Sequence, residues 1–266
     1  MSAKNPPKGA SRAATPRRSA PRPPRSASTP SPGPRPTTSR RGTLLAGLAI
    51  AAVVAVVVVG VLSQRSQTTP LADGYGSARS AAVSVSAGVV RVGAPDAPVT
   101  LDAYEDFLCP NCRQFETVYG QQLAQKLDEG TVAVRYRFLT FLDARSPSKN
   151  YSTRAAAAAL CVAKDSGGAR FPALHAALYA ETTQPKEGSG SDLSNADLAQ
   201  VAGGVGASAA AQQCISSGSE NAAAAAVAQS NQATLQASGN PVATPTVLNG
   251  STKIDVSDRS WLSTLR

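Results

Sequence analysis

Histidine occurs once among the 266 residues, at position 175, and cysteine four times, at 109, 112, 161 and 214. A structural zinc site needs four Cys or His ligands, usually in two close pairs. Cys109 and Cys112 make one such pair, but Cys161, Cys214 and His175 make no second, so no metal site is expected. Nucleotide and flavin motifs are missing too, no cofactor is expected, and no internal repeat is present. Acidic residues are absent from positions 1–42, which hold ten of the 26 Lys and Arg residues. The other 224 residues carry 16 basic and 17 acidic side chains, so the formal charge of +9 belongs to the tail. No nucleic-acid partner is expected. The tail is rich in Pro, Ser and Arg and has little to bury. It reads as a disordered cytoplasmic segment that meets anionic lipid headgroups.

Charge of either sign is then missing from residues 43–62, "TLLAGLAIAAVVAVVVVGVL". Twenty mainly apolar residues rising about 1.5 Å each match a bilayer's hydrocarbon core, which predicts a single transmembrane helix. A cleaved signal peptide has a shorter apolar core and a short basic lead, and no convincing small-x-small cleavage site follows Leu62. Arg40 and Arg41 abut the N-terminal end, so the positive-inside rule keeps the tail in the cytoplasm and puts the rest outside. The expected location is a single-pass position in a bacterial cell membrane, with the four cysteines where disulfides persist.

Residues 63–87 are small, polar and unpatterned and read as a linker. The folded domain is expected from 88 to 266. "VVRVG" and "VTLDAYEDF" read as strands around the proline-containing turn "APDAP". "CRQFETVYGQQLAQKL" spaces Phe115, Val118, Tyr119, Leu123 and Leu127 as one face of a helix that Gly130 ends. "TVAVRYRFLTFL" alternates as a strand. From about 147 to 237 the chain turns to Ala-rich helical pieces. "TPTVLNG" and "STKIDVS" then flank an Asn249–Gly250 turn, and Asp258 is placed to cap a closing helix. The fold class is α/β.

Within this order "DFLCPNC" sets Cys109 at a strand-to-helix junction. A purely structural Cys109–Cys112 bridge would close a loop of two residues and constrain the unfolded chain little. The helix N-terminus, with unsatisfied amides and a positive dipole end, instead favours the Cys109 thiolate, the reactive form. Pro110 fits the first turn, where its missing N–H has no partner to lose.

"YEDFLCPNC", the helical block containing "FPALHAALYA", and "VATPTVLNG" together resemble the DsbA-like branch of the thioredoxin superfamily, in its membrane-anchored bacterial form. The resemblance spans about 88–266 and implies a thioredoxin-like fold with an inserted all-helical subdomain. By resemblance, Cys109 is the exposed nucleophile and Cys112 the buried resolving thiol. Pro245 is expected in cis beside them, and the backbone of Thr244 would pair with an extended client segment. Pro110 and Asn111 tune the pair. Strong oxidants of the family carry His at the position of Asn111, so the expected potential lies between about −120 and −180 mV. Ala103 stands where many relatives have Glu, which leaves Asp102, Glu105 and Asp106 as candidate proton acceptors or as solvated strand-end charges. With 109–112 as the redox pair, Cys161 and Cys214 remain for a structural bridge. His175 reads as packing or helix surface.

The implied activity is protein dithiol–disulfide exchange that introduces disulfides into reduced or unfolded exported proteins. Isomerase or reductase action and a non-enzymatic thioredoxin-like binding domain are the alternatives. A quinone-linked membrane reoxidase of the DsbB or vitamin-K-epoxide-reductase type is the implied partner.

Overall fold

The computed structural model describes residues 75–188 and 190–265. The tail at 1–42, the apolar stretch at 43–62 and the linker up to 74 lie outside them. Among the described residues no helix is long and apolar enough to cross a membrane.

Six strands form one sheet: β1 (Val83–Ser86), β2 (Val89–Val92), β3 (Val99–Glu105), β4 (Val132–Phe138), β5 (Thr246–Asn249) and β6 (Thr252–Lys253). Their spatial order is β1-β2-β4-β3-β5-β6. β3 lies beside β4 in parallel and β5 in antiparallel, with Leu101 opposite Val134 and Asn249. Helix α1 (Pro110–Asp128) makes the crossover between β3 and β4. A parallel pair needs such a long connection, and helices on both faces explain why β3 is buried almost throughout. Alternation along β3 then aims Leu101, Ala103 and Glu105 at one face and Asp102 and Tyr104 at the other. Tyr104 joins Leu139, Leu235 and Leu248 in a small second cluster, apart from the main core that holds Leu101 and Ala103.

α1 buries Cys112, Phe115, Tyr119, Leu123 and Leu127, close to the face that the spacing predicts. It ends at Gly130 (φ 72°), where the left-handed conformation suits glycine, and the Thr131 N–H turns back to the Lys126 carbonyl at 3.1 Å.

Among the described residues, five α-helices stand between β4 and β5: α2 (Tyr151–Lys164), α3 (Phe171–Leu178), α4 (Asn195–Gly204), α5 (Ala209–Ser217) and α6 (Asn221–Ala237). This is the predicted insertion. α2 is buried on nearly every side because Ala155–Ala159 let α3, α5 and α6 approach closely. The Cys161–Cys214 disulfide joins α2 to α5 across 53 positions. The insertion has no separate core, since Phe171, Leu174 and Leu198 belong to the same cluster as Phe115 and Val134.

Three local expectations need correction. β1 falls inside the stretch read as linker; its Ser residues hid a half-buried Val alternation, and it pairs with β2 through a turn at Ala87 and Gly88, both with positive φ. The second hairpin turns on Gly250 and Ser251, one step after Asn249–Gly250, with Asn249 still paired to Thr252. Asp258 does not cap the closing helix α7 (Trp261–Thr264). Its carboxylate accepts the Ser260 N–H at 2.9 Å, and Ser260 holds the cap position.

Candidate active site

β3 and α1 meet at the cysteine pair. Cys109 is the N-cap residue of α1 and Pro110 the first residue of the helix. The turn between strand and helix is fixed by Asp106, whose Oδ1 accepts the Leu108 N–H at 2.9 Å and whose Oδ2 accepts the Leu142 N–H at 3.1 Å. Burial pushes the Asp106 carboxyl up to about 7, against these hydrogen bonds. From the insertion, Gln184 Nε2 donates to the carbonyls of Phe107 and Cys109, both at 3.0 Å. Sequence reasoning missed Gln184, and no local pattern marks a residue 75 positions from its partner.

The Thr244–Pro245 peptide bond is cis, as the resemblance implies, and the Thr244 carbonyl oxygen lies 3.4 Å from Cys109 Sγ. The structure thus brings together Cys109, Pro110, Asn111, Cys112, Thr244 and Pro245. Cys109 and Cys112 are both unpaired thiols. One expectation about them fails: Cys109 is not exposed. Only 4 % of its surface is accessible, because the loop that carries Thr244 closes over it. Beside it a groove of about 390 Å³ runs past Asn111, Phe115, Tyr119, Pro245 and Val256.

The two thiols are electrostatically unequal. A hydrogen bond from Cys112 holds the Cys109 thiol down at about 6; burial opposes this, and the Thr244 side chain and the amides of Cys112 and Asn111 reinforce it. Burial pushes the Cys112 thiol well above its ordinary value, helped by the hydrogen bond to Cys109 and the charge of Glu105. These opposite shifts favour the thiolate at Cys109 and the thiol at Cys112. An arrangement of this kind performs thiol–disulfide exchange, with attack at one sulfur and resolution by the other.

The acidic residues near the pair divide by face. Asp102 lies on the far face and pairs with Arg135 and, at 2.6 Å, with Arg137, so it takes no part at the thiols. Glu105 is fully buried on the near face, two residues beyond Ala103 along the same side of the strand. A carboxylate is therefore present behind Cys112 although position 103 lacks one. Its partner is His175, whose Nε2 lies 2.8 Å from Glu105 Oε2. Glu116 lies on the other side of the imidazole. The reading of His175 as packing is thus incomplete, and Glu116 was overlooked because only tertiary contact reveals it. Donor atoms of Glu105, Glu116 and His175 lie within 4.8 Å of one another. Glu105 and His175 are nevertheless already in direct hydrogen-bond contact, and the two imidazole nitrogens turn to different carboxylates. The geometry is that of a hydrogen-bonded Glu105–His175 pair with Glu116 at ion-pair distance, rather than a cage around an ion.

The profile of the family described as Thioredoxin matches residues 86–265. This chain belongs to the thioredoxin family. Over 176 residues it is 39 % identical to the serine/threonine-protein kinase PknE of Mycobacterium tuberculosis, a match that takes in 66 % of this chain and 31 % of PknE. The chain therefore spans about a third of the length of the curated relatives it matches. Among solved structures it is similar to the MdbA protein of Corynebacterium diphtheriae, a thiol-disulfide oxidoreductase, with a TM-score of 0.63 and 27 % identity over 73 % of this chain and 98 % of that one. It is also similar to reduced DsbA from Mycobacterium tuberculosis, with a TM-score of 0.53 and 31 % identity over 70 % and 93 % of the two chains. The DsbA-like resemblance drawn from the sequence holds for this thioredoxin-family domain.

Proposed function

We propose that this thioredoxin-family chain is a membrane-anchored, extracytoplasmic oxidase that introduces disulfides into exported proteins through Cys109 and Cys112. The broader activity, protein disulfide oxidoreductase, accords with the solved relatives at more than a quarter identity. One observation carries the mechanism: at a single helix N-terminus, one thiol is held down at about 6 and its neighbour is pushed up. The first is a good nucleophile and leaving group, and the second is a resolving group that stays protonated until needed. The groove beside Pro245 is apolar enough, through Phe115, Tyr119 and Val256, to hold an unfolded segment against the Thr244 backbone. The charge-free stretch at 43–62 supports the membrane anchor, and export of the domain supports reduced secreted proteins as clients. A quinone-linked membrane protein of the DsbB or vitamin-K-epoxide-reductase type would return the pair to its disulfide form.

The test is oxidative refolding of a reduced protein by the oxidised full chain in detergent. Acceleration that disappears with Cys109→Ser supports the reading. Refolding that the chain does not speed favours a binding domain without catalytic activity. Isomerase or reductase action would use the same atoms and is distinguished by the potential of the pair.

A further inference from the structure

A buried glutamine stands in an otherwise open stretch just after α3. Gln184 ends a tight turn in which the Ala180 carbonyl accepts the N–H groups of Thr183 at 2.9 Å and of Gln184 at 2.8 Å. Glu181, Thr182 and Lys186 beside it are exposed, whereas Gln184 keeps only 7 % of its surface accessible. A long polar side chain is seldom buried unless its hydrogen-bonding groups find partners. The partners here belong to the active-site turn. The side-chain amide has two protons to give, and the carbonyls of Phe107 and Cys109 both lie 3.0 Å from Nε2. The Tyr179 ring also stacks on Phe107, with centroids 5.0 Å apart, so this segment of the insertion holds the turn at two points.

Those two carbonyls govern where the nucleophile points. The peptide that joins Cys109 to Pro110 has no N–H, which leaves its carbonyl as its one polar handle. That carbonyl opens α1 by accepting the Arg113 N–H at 3.3 Å, a long bond. Among the described residues the Phe107 carbonyl accepts from Gln184 alone. Cys109 is extended (φ −71°, ψ 118°), and the amides of Asn111 and Cys112 reach its sulfur. Rotation at this residue would carry Sγ off those amides. Removing the donor at 184 leaves buried acceptors short of a partner, and turning the peptides toward water relieves that penalty.

We propose that Gln184 is a positioning residue for the nucleophile: by donating to the carbonyls of Phe107 and Cys109, it holds the active-site turn so that Cys109 Sγ faces the first amides of α1. The inference rests on the exchange reading above, in which Cys109 is the sulfur that is attacked and released. Gln184 touches no reacting atom and transfers no proton or electron. It acts on the fraction of Cys109 present as thiolate, and through that on the rate of exchange and the potential of the pair. The insertion thereby has a part in the chemistry, since it supplies the donor that sets the turn between β3 and α1.

Other groups around the sulfur do not do this work. Cys112 from α1 and Thr244 from the loop before β5 address Sγ itself and leave the carbonyls alone. Asp106 is engaged by the amides of Leu108 and Leu142, and Glu105 by His175. Tyr179 from the insertion is pushed well above the ordinary tyrosine value by burial and stays neutral.

The test compares reduced full chains in detergent: wild type, Gln184→Met, which keeps the length and loses the donor, and Gln184→Glu, which turns an acceptor toward the carbonyls. Iodoacetamide alkylation of Cys109, followed against pH, should have its midpoint near 6 in wild type. In both variants the midpoint should rise by about one unit, a tenfold loss of thiolate below it, and glutathione equilibration should find the pair about 30 mV less oxidising, the equivalent of a tenfold change. A side chain that only supports the fold would lower the melting temperature and leave midpoint and potential unmoved. Folded variants with the wild-type midpoint therefore overturn the proposal. If neither variant folds, the wild-type chain decides. Its Gln184 side-chain amide resonances should move with the Cys109 titration, and resonances that stay fixed through it overturn the proposal. A Cys109→Ser chain that still exchanges at the wild-type rate overturns the exchange reading instead.

Discussion

The two cysteine pairs sit at opposite ends of their helices. Cys109 is the N-cap of α1, and Cys112 lies within the first turn. Cys161 lies in the last turn of α2, and Cys214 lies past the middle of α5. The N-terminal pole of a helix favours thiolate and the C-terminal pole disfavours it, so the same side chain is reactive in one place and inert in the other. The pairs also differ in what they connect. Two residues separate the first pair, whereas the second spans 53 positions and ties together a block whose buried positions are largely alanine. In the chain-entropy model a loop of that size is worth on the order of 4 kcal/mol. On the proposed function, one pair opens and the other stays shut.

Four measurements would break or sharpen that contrast. Cys109→Ser should have the largest effect, lowering dithiol exchange by about a thousandfold or more, the scale seen when a nucleophile is removed; kinetics with a reduced peptide check it. Replacing both Cys161 and Cys214 by Ser should lower the unfolding free energy by about 4 kcal/mol in chemical denaturation while leaving exchange by the folded chain intact. A loss of exchange without a loss of stability would make this a second redox centre and erase the distinction. Third, alkylation of reduced Cys109 should follow a titration near 6, well below the ordinary 9.0. The sign for stability is fixed by the same shift. A thiol held down in the folded chain stabilises it fully above the unfolded value and loses that contribution as pH falls through about 6. Cys109 therefore stabilises the reduced chain progressively as pH rises from about 6 to 9, which melting curves of reduced wild type and Cys109→Ser would show. The smallest effect is expected from Asn111→His, which should make the pair more oxidising by about 30 mV for each unit by which it lowers the thiol pKa, read by glutathione equilibration.

What the sequence disclosed divides along similar lines. The reactive pair, α1, the Ala-rich block and the Thr244–Pro245 loop were legible because each is a local pattern of spacing or turn chemistry. The Cys161–Cys214 bridge was reached through the resemblance. β1 was missed because "VSVS" buries only its valines partway, and its turn is Ala-Gly rather than Asn-Gly. Glu116 and Gln184 were missed for a different reason. Glu116 meets His175 only after α1 and α3 pack together, and Gln184 reaches Phe107 across 77 positions. Cys109 was expected to be open because a nucleophile needs access, but the Thr244 loop that binds clients by resemblance also covers it.

A last consequence concerns the strand of chain that enters the domain. Asp128, the final residue of α1, accepts hydrogen bonds from the Tyr75 hydroxyl and from the amides of Arg79, Ser80 and Ala81. Tension applied upstream of Tyr75 would thus be borne first by the far end of the helix that carries both reactive sulfurs, rather than by the sheet.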